Sequence, residues 1–475
     1  MIKHFHAFAV ETKYYVIDTV YVVICEINSE QYEYLSKYEN DLLNDENLDE
    51  KNVSIKEMFD AVFKKGLFAS ENLHLPSEEI SKTGFIALTP VHLCNFRCKY
   101  CFAEHGENYS ENEKTIDLKT IKNALDFAIS DYFSNAENIR IEMVGGGENF
   151  LKIEKVKEIL DTAETLCKNA KKNFDAFILS NGSLMNEEIL RTVDRNYVSL
   201  GISLDGRREI NDYQRPDASG KGTYDLISKN IEYVLQNAKS RSVKNLWGLV
   251  VITAKTGNLM DVLAEYKQRG INSVQMRLVR VPNDSEFSVS GENIFKIKKM
   301  YKDLIDSFKK DIDQCDISNI KMILNDSDYL GKILVRLFKQ KIVNTRCLAG
   351  KNKISITANG DIYPCDAFVG IDRYKIGNIN GSKQLFENDF VCMSVDKRDE
   401  CKKCWAKYLC GGDCLHNSYI HNGNISQPDS EFCEIQKFLI ESCVDLVNYI
   451  SPNEEIASEI VSYVTKRADV NRFMH

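Results

Sequence analysis

The sequence predicts an α/β protein in which a helix-covered parallel sheet follows a small strand-then-helix segment and precedes a cysteine-rich one. Three observations carry this. Beyond about Gly84, six runs of strand length alternate with amphipathic helical segments, the pattern of parallel strands joined by helical crossovers. At 475 residues the chain is too long for one ordinary domain and suits two to four. Its 15 cysteines are concentrated around positions 94 to 101 and again from 347 to 433.

The elements follow in order. From Phe5 to about Ile27, alternation around Tyr14-Tyr15-Val16-Ile17-Asp18 and Tyr21-Val22-Val23-Ile24 predicts two or three short strands. Asn28 or Ser29 caps a helix running to Tyr38, and a polar loop from Asn44 to Asn52 precedes a second helix from Ser54 to Lys64. Sheet strands are predicted at Phe85–Val91, Arg140–Val144, Ala176–Leu179, Tyr197–Ser203, Leu246–Thr253 and Ser273–Val279. Apolar spacing near 3.6 places helices at Ile153–Cys167, Tyr224–Gln236 and Leu259–Gln268 between them. Asp311 to Asn344 reads as a linker whose amphipathic stretch, Leu330 to Phe338, carries Lys332, Arg336, Lys339 and Lys341 on a solvated face. After Cys433 a helix is predicted to about Ile450, then a polar tail. The division that results is 1–75, 84–312, a linker at 313–345, a cysteine-rich domain at 346–440, and a helix and tail at 441–475.

Composition excludes some functions. The net charge of −9 is spread over scattered acids and bases, with no basic block to track a nucleic acid. No charged-then-apolar segment follows Met1 and no apolar run is long enough to span a bilayer, so a cytoplasmic setting without membrane contact is expected, where thiols stay reduced.

Directly after the first predicted sheet strand the chain reads Cys94-Asn-Phe-Arg-Cys98-Lys-Tyr-Cys101-Phe, a CxxxCxxC spacing. Three thiolates on one short loop can hold three irons of a 4Fe-4S cube, leaving the fourth open. A zinc knuckle, with His92 or His105 as fourth ligand, and a trio of buried thiols are the alternatives. The second constellation is Cys347, Gly360, Cys365, then Cys401-Lys-Lys-Cys404, Cys410-Gly-Gly-Asp-Cys414 and Cys433; two zinc ribbons are its alternative.

With these motifs, and with Tyr100 before the third cysteine, the sequence resembles the radical S-adenosylmethionine (radical SAM) family. The resemblance implies a partial (β/α)6 TIM-type barrel with its chemistry at the strand C-terminal ends. It implies S-adenosylmethionine on the open iron, beside Tyr100 and Phe102, with Cys94, Cys98 and Cys101 as the catalytic cluster ligands. Gly145-Gly146-Gly147-Glu148 is similar to the family's GGE motif for the cofactor's amino group, although Asn149 stands where proline is common. Ser180-Asn181-Gly182 resembles its TNG-type turn. Ser203-Leu204-Asp205-Gly206 and Arg215 resemble its SxDG…R segment, which implies ribose contacts for Ser203 and Asp205 and a carboxylate contact for Arg215.

The later cysteines, with Ile376-Gly377-Asn378-Ile379 and Gly411-Gly412, resemble the SPASM extension that holds auxiliary 4Fe-4S clusters, for three clusters in all. The resemblance implies that Cys401, Cys404, Cys410 and Cys433 close a distal cluster while Cys347, Cys365 and Cys414 hold a near one with an open iron, unless Cys315 or Cys392 supplies the missing ligand. The element order of the first 75 or so residues resembles a winged-helix leader-binding domain; a plain cap on the barrel is the alternative. Together these imply a maturase that forms thioethers in a ribosomally made, cysteine-containing precursor peptide bearing a leader. Its electrons would come from a reductant such as flavodoxin or ferredoxin. A sulfatase-maturase-like oxidation of a side chain, or a non-catalytic iron-sulfur electron-transfer protein, are the other readings.

Overall fold

The computed structural model describes residues 2–40, 50–71, 75, 82–104, 114–381, 390 and 393–470; His105 and Cys392, named above, and most of the polar loop from Asn44 lie outside them. The chain opens with a three-stranded antiparallel sheet, β1 (Phe5–Val10), β2 (Lys13–Asp18) and β3 (Ile24–Ile27), in that spatial order. Helices α1 (Ser29–Glu39) and α2 (Glu50–Phe63) follow. Asn28 starts α1 with a capping box: its side chain accepts from Gln31 N–H, and the Gln31 side chain accepts from Asn28 N–H. Because strand side chains alternate, Phe5, Ala7 and Val16 pack with Tyr34, Leu35, Phe59 and Phe63 of the helices, whereas Phe8, Tyr15 and Ile17 join the main core. This small unit is therefore apolar on both faces and sits on the rest of the chain.

The main sheet has nine strands. Its first six are β4 (Thr83–Leu88), β5 (Asn138–Met143), β6 (Asn173–Ser180), β7 (Val198–Ser203), β8 (Trp247–Ile252) and β9 (Ser273–Leu278). They pair in parallel, each with its sequence neighbour. Helices α3 (Leu118–Asp126), α4 (Ile153–Asn169), α5 (Glu187–Val193), α6 (Tyr224–Asn237), α7 (Leu259–Gln268) and α8 (Asn293–Asp313) follow these strands. All six strands therefore end on one rim. The strand and helix boundaries agree with the sequence reading to within about three residues.

Three differences from the sequence reading matter. First, the cysteine-rich segment is not laid beside the barrel as a separate layer. Its strand β10 (Lys353–Ile356) pairs in parallel with β4, and β11 (Asp361–Tyr363) and β12 (Gly377–Asn378) continue the same sheet in antiparallel fashion. The β4 edge, which an open barrel leaves unpaired, is satisfied this way. Second, α9 (Gly331–Phe338) is not a solvated linker helix: Leu330, Ile333, Leu334 and Leu337 lie in the main core, Lys332 is buried, and Arg336 donates to the carbonyl groups of Leu409 (2.7 Å) and Cys410 (3.1 Å). The carbonyls that Arg336 meets belong to a segment more than 70 residues on, which local sequence does not reveal. Third, the tail is helical. Beyond the long helix α10 (Ser430–Ile450), which crosses position 440, α11 (Glu454–Val470) buries Ile456, Ile460 and Val464, a spacing of four that the sequence did display. Among the described residues no helix is long and apolar enough to cross a membrane.

Candidate active site

The loop after β4 carries Cys94, Cys98 and Cys101 and is held by backbone bonds to the segment after β7: Arg97 N–H donates to Pro216 O (2.8 Å) and Lys99 N–H to Gln214 O (2.9 Å). Burial pushes the Cys98 thiol up to about 12, Arg215 opposes that shift, and the neighbouring Asp205, Cys94 and Cys101 add to it. Burial likewise raises Cys94, with Glu148 and Cys101 adding to it. Thiols that are buried and within each other's field are held protonated until a cation joins them, which suits a metal cluster. Phe96 N–H (3.5 Å) and the Asn181 side-chain amide (3.8 Å) point at Cys94 Sγ, as donors do to a thiolate ligand.

The glycine turn after β5 lies against this loop. Gly145 and Gly146 have positive φ, 75° and 82°. A Cβ on Gly146 would lie 2.6 Å from Thr89 Cγ2, and one on Gly147 would fall on the Leu93 carbonyl oxygen. The three glycines are thus required by the close approach of the two loops. Glu148 is 1% exposed and accepts from Phe150 N–H (3.1 Å), Ser180 Oγ–H (2.9 Å) and Asn181 N–H (2.6 Å). This gathers Glu148, Ser180 and Asn181 onto one point beside Cys94. In place of proline, Asn149 donates to Met143 O (3.0 Å) and Leu179 O (2.7 Å), stapling the ends of β5 and β6.

Asp205 lies among protein donors. Its Oδ2 accepts from Tyr100 Oη–H (2.6 Å) and Gln214 Nε2–H (2.9 Å), and its Oδ1 from Val251 N–H (3.1 Å). Through the first of these bonds the carboxylate holds Tyr100 in place. Arg215 donates through Nη1 to Tyr100 Oη (3.0 Å), while its buried Nε has no partner. An orphaned guanidinium N–H beside the cysteine loop fits a carboxylate-bearing ligand. Ser203 ends β7 and is 7% exposed on the same rim.

The later cysteines influence one another in two sets. The Cys347, Cys365 and Cys414 thiols lie in one another's field: burial drives Cys365 up, and Cys347 and Cys414 add to the rise. Burial similarly raises Cys433, with Cys410, Cys401 and Cys404 adding to it. Gly411 and Gly412, both with positive φ (76° and 88°), turn the chain between Cys410 of one group and Cys414 of the other. Cys315 joins neither. It is exposed just beyond the C-terminal end of α8, a helix of 21 residues. Among the described residues no three His, Cys, Asp or Glu side chains converge as one metal ion requires.

Between the first cysteine loop and the near group lies a cavity of about 440 Å³, lined by Thr89, His92, Phe102, Gly146, Asp366 and His416 among others. Phe102 turns toward this cavity rather than toward Tyr100, with its ring 6.3 Å from that of His416. Asp366, next to Cys365, is held below the usual carboxylate range: burial raises it, but Lys353 at 3.0 Å outweighs this. Lys353 also pairs with Glu142 of β5 (2.7 Å), tying the added strand to the barrel interior.

Residues 88–263 match the model of the radical SAM superfamily, and residues 347–405 that of the SPASM iron-sulfur cluster-binding domain. The chain carries a radical SAM domain and a SPASM domain. A cysteine-type anaerobic sulfatase-maturating enzyme of Clostridium novyi is 26% identical over 373 residues, covering 75% of this chain and 94% of that one. The solved structure of native anSMEcpe with bound AdoMet superposes with a TM-score of 0.64 at 20% identity, covering 79% of this chain and 99% of that chain; its complex with AdoMet and the Cp18Cys peptide gives 0.60 at 20%, covering 80% and 99%. At that identity the structures establish the fold.

Several residues of this radical SAM and SPASM site escaped the sequence reading. Gln214 and Thr223 sit among the SxDG…R residues, Thr223 Oγ–H donating to Arg215 O (2.7 Å), yet neither belongs to a recognisable motif. Arg280, two residues past β9, donates to Cys414 Sγ at 3.5 Å. Arg398, 2% exposed, donates to Asp413 O (3.1 Å), Ser426 O (3.0 Å) and Ser418 Oγ, fixing the Cys410–Cys414 turn. The position of Arg280 at a strand's C-terminal end was the one signal that could have marked it.

Proposed function

We propose that this enzyme is a peptide maturase that joins a cysteine sulfur to a carbon of another residue in a ribosomally made precursor, using three 4Fe-4S clusters. When bound at Cys94, Cys98 and Cys101, a reduced cluster and S-adenosylmethionine supply a 5′-deoxyadenosyl radical able to take hydrogen from carbon. Glu148 and the glycine turn receive the cofactor's amino end, Arg215 its carboxylate, and Ser203 its ribose, while Asp205 keeps Tyr100 from swinging into the space they leave. The cavity beside Phe102 and His416 has room for a side chain from a peptide. The observation that supports the thioether reading is the near group: Cys347, Cys365 and Cys414 lie in one another's field, while Cys315 is exposed beyond α8. Among the described residues three protein thiols stand there, which leaves a place for a fourth from the substrate, held deprotonated and aimed at the carbon it will join. The small N-terminal unit is proposed to bind the leader, adding a strand to a sheet edge.

A second reading, oxidation of a Cys or Ser side chain in the manner of a sulfatase maturase, is favoured by the 94% coverage of the cysteine-type sulfatase-maturating enzyme of Clostridium novyi. Mass spectrometry of a cysteine-containing precursor after turnover separates the two. A thioether appears as the loss of two hydrogens, a cysteine that resists alkylation, and fragments linking two residues. An oxidised side chain with no crosslink would replace the thioether reading with the second one.

A further inference from the structure

The guanidinium of Arg280 stands between the two sites. It is 3.5 Å from Cys414 Sγ on one side and 5.5 Å from the centre of the Phe102 ring, the residue after Cys101, on the other. Beside Cys365 the carboxylate of Asp366 is paired with Lys353 at 3.0 Å, so its charge is offset. At the first cysteine loop the buried Arg215 shares the Tyr100 hydroxyl with the buried Asp205, and the Glu148 carboxylate is buried close by. Reduction adds a negative charge to a cluster, and a fixed cation against one of its thiolates favours the reduced form. Arg280 is half-buried, and its guanidinium stays charged.

We infer that Arg280 is a positioning residue that raises the reduction potential of the near auxiliary cluster above that of the cluster at Cys94, Cys98 and Cys101. The inference rests on the reading that Cys347, Cys365 and Cys414 hold that cluster. Its consequence is directional. When a carbon radical and a thiolate form one carbon–sulfur bond, one electron is left over. It goes to the near cluster, reducing it by one electron, because that site is the more favourable acceptor.

The test is a potentiometric titration followed by electron paramagnetic resonance on reconstituted full-length protein without peptide, in a Cys94→Ala, Cys98→Ala, Cys101→Ala background. Cys347→Ala assigns the near signal, and iron content shows whether the near cluster is present at all. Absence of that cluster in the parent protein would remove the three-cluster reading itself. With the cluster present, Arg280→Met should lower the near midpoint by about 59 mV, a tenfold change for one electron, and leave the distal midpoint in place. Arg280→Lys should stay close to the parent value. An unchanged midpoint in Arg280→Met, or equal shifts at both clusters, would overturn the assignment. If Arg280→Met and Arg280→Gln lose the near cluster's iron while Arg280→Lys keeps it, Arg280 holds the cluster rather than tuning it, and the inference falls.

Discussion

Tyr100 donates a 2.6 Å hydrogen bond to Asp205, joining the cysteine loop after the first barrel strand to the turn after the fourth. Arg215 donates to the same phenol oxygen, so one hydroxyl serves a buried carboxylate and a buried guanidinium together. Removing it leaves both short of a partner, at about 1–3 kcal/mol for each unsatisfied group. We expect Tyr100→Phe to lower the thermal midpoint and to slow formation of 5′-deoxyadenosine while leaving iron content unchanged. Normal cofactor cleavage with normal stability would show that the pair is incidental.

Gly147 offers no room for a side chain because a Cβ would fall on the Leu93 carbonyl, one residue before Cys94. Gly147→Ala should therefore displace the cysteine loop and reduce both iron and cofactor binding. The change at Gly220, whose φ is positive but which faces open space, is the control: Gly220→Ala meets only backbone strain and should leave iron in place.

The cysteine groups set the iron content. With Cys94, Cys98 and Cys101 replaced together by Ala, we expect about a third of the iron to disappear and all cleavage of S-adenosylmethionine with it. Iron analysis that finds the full amount, or zinc in its stead, would contradict three clusters.

His6 of β1 bridges the small N-terminal unit to the SPASM side. Its ring stacks on Trp405 with centroids 3.7 Å apart, Nδ1 meets Glu39 at 2.9 Å, and Nε2 meets Glu441 at 3.2 Å. Burial lowers its pKa, but the bonds to Glu39 and Glu441 outweigh that and raise it above 6.5. A histidine with a raised folded-state pKa lends stability that is complete below its unfolded pKa and lost as pH rises through the folded one. Thermal unfolding against pH should show wild type exceeding His6→Gln by on the order of 1 kcal/mol below about pH 6. The gap should shrink as pH rises past the folded pKa. A difference independent of pH would mean that only the neutral ring's stacking matters.

Much of the site was legible because its motifs are local. Cys94, Cys98 and Cys101 share eight residues of chain, and Gly146, Gly147 and Glu148 are consecutive, so spacing alone presents them. Arg280 and Lys353 were not legible. Each is a lone cation in sequence and acquires its role from partners, Cys414 for one, Glu142 and Asp366 for the other, that lie beside it only after folding. Lys332 and Arg336 misled for the same reason: amphipathic spacing reports which residues share a face, and it is silent on whether another segment covers the polar one.

By itself the sequence determined the elements and the chemistry. Strand and helix periodicity, caps such as Asn28, and thiol spacing are short-range properties that a chain carries before it folds. The tertiary structure decided what faces what. It joined β10 of the SPASM segment to the open edge of the barrel sheet, because an unpaired parallel edge strand needs hydrogen-bond partners from elsewhere. That pairing carries Cys365 and Asp366 to the rim where Cys94 and Glu148 already stand.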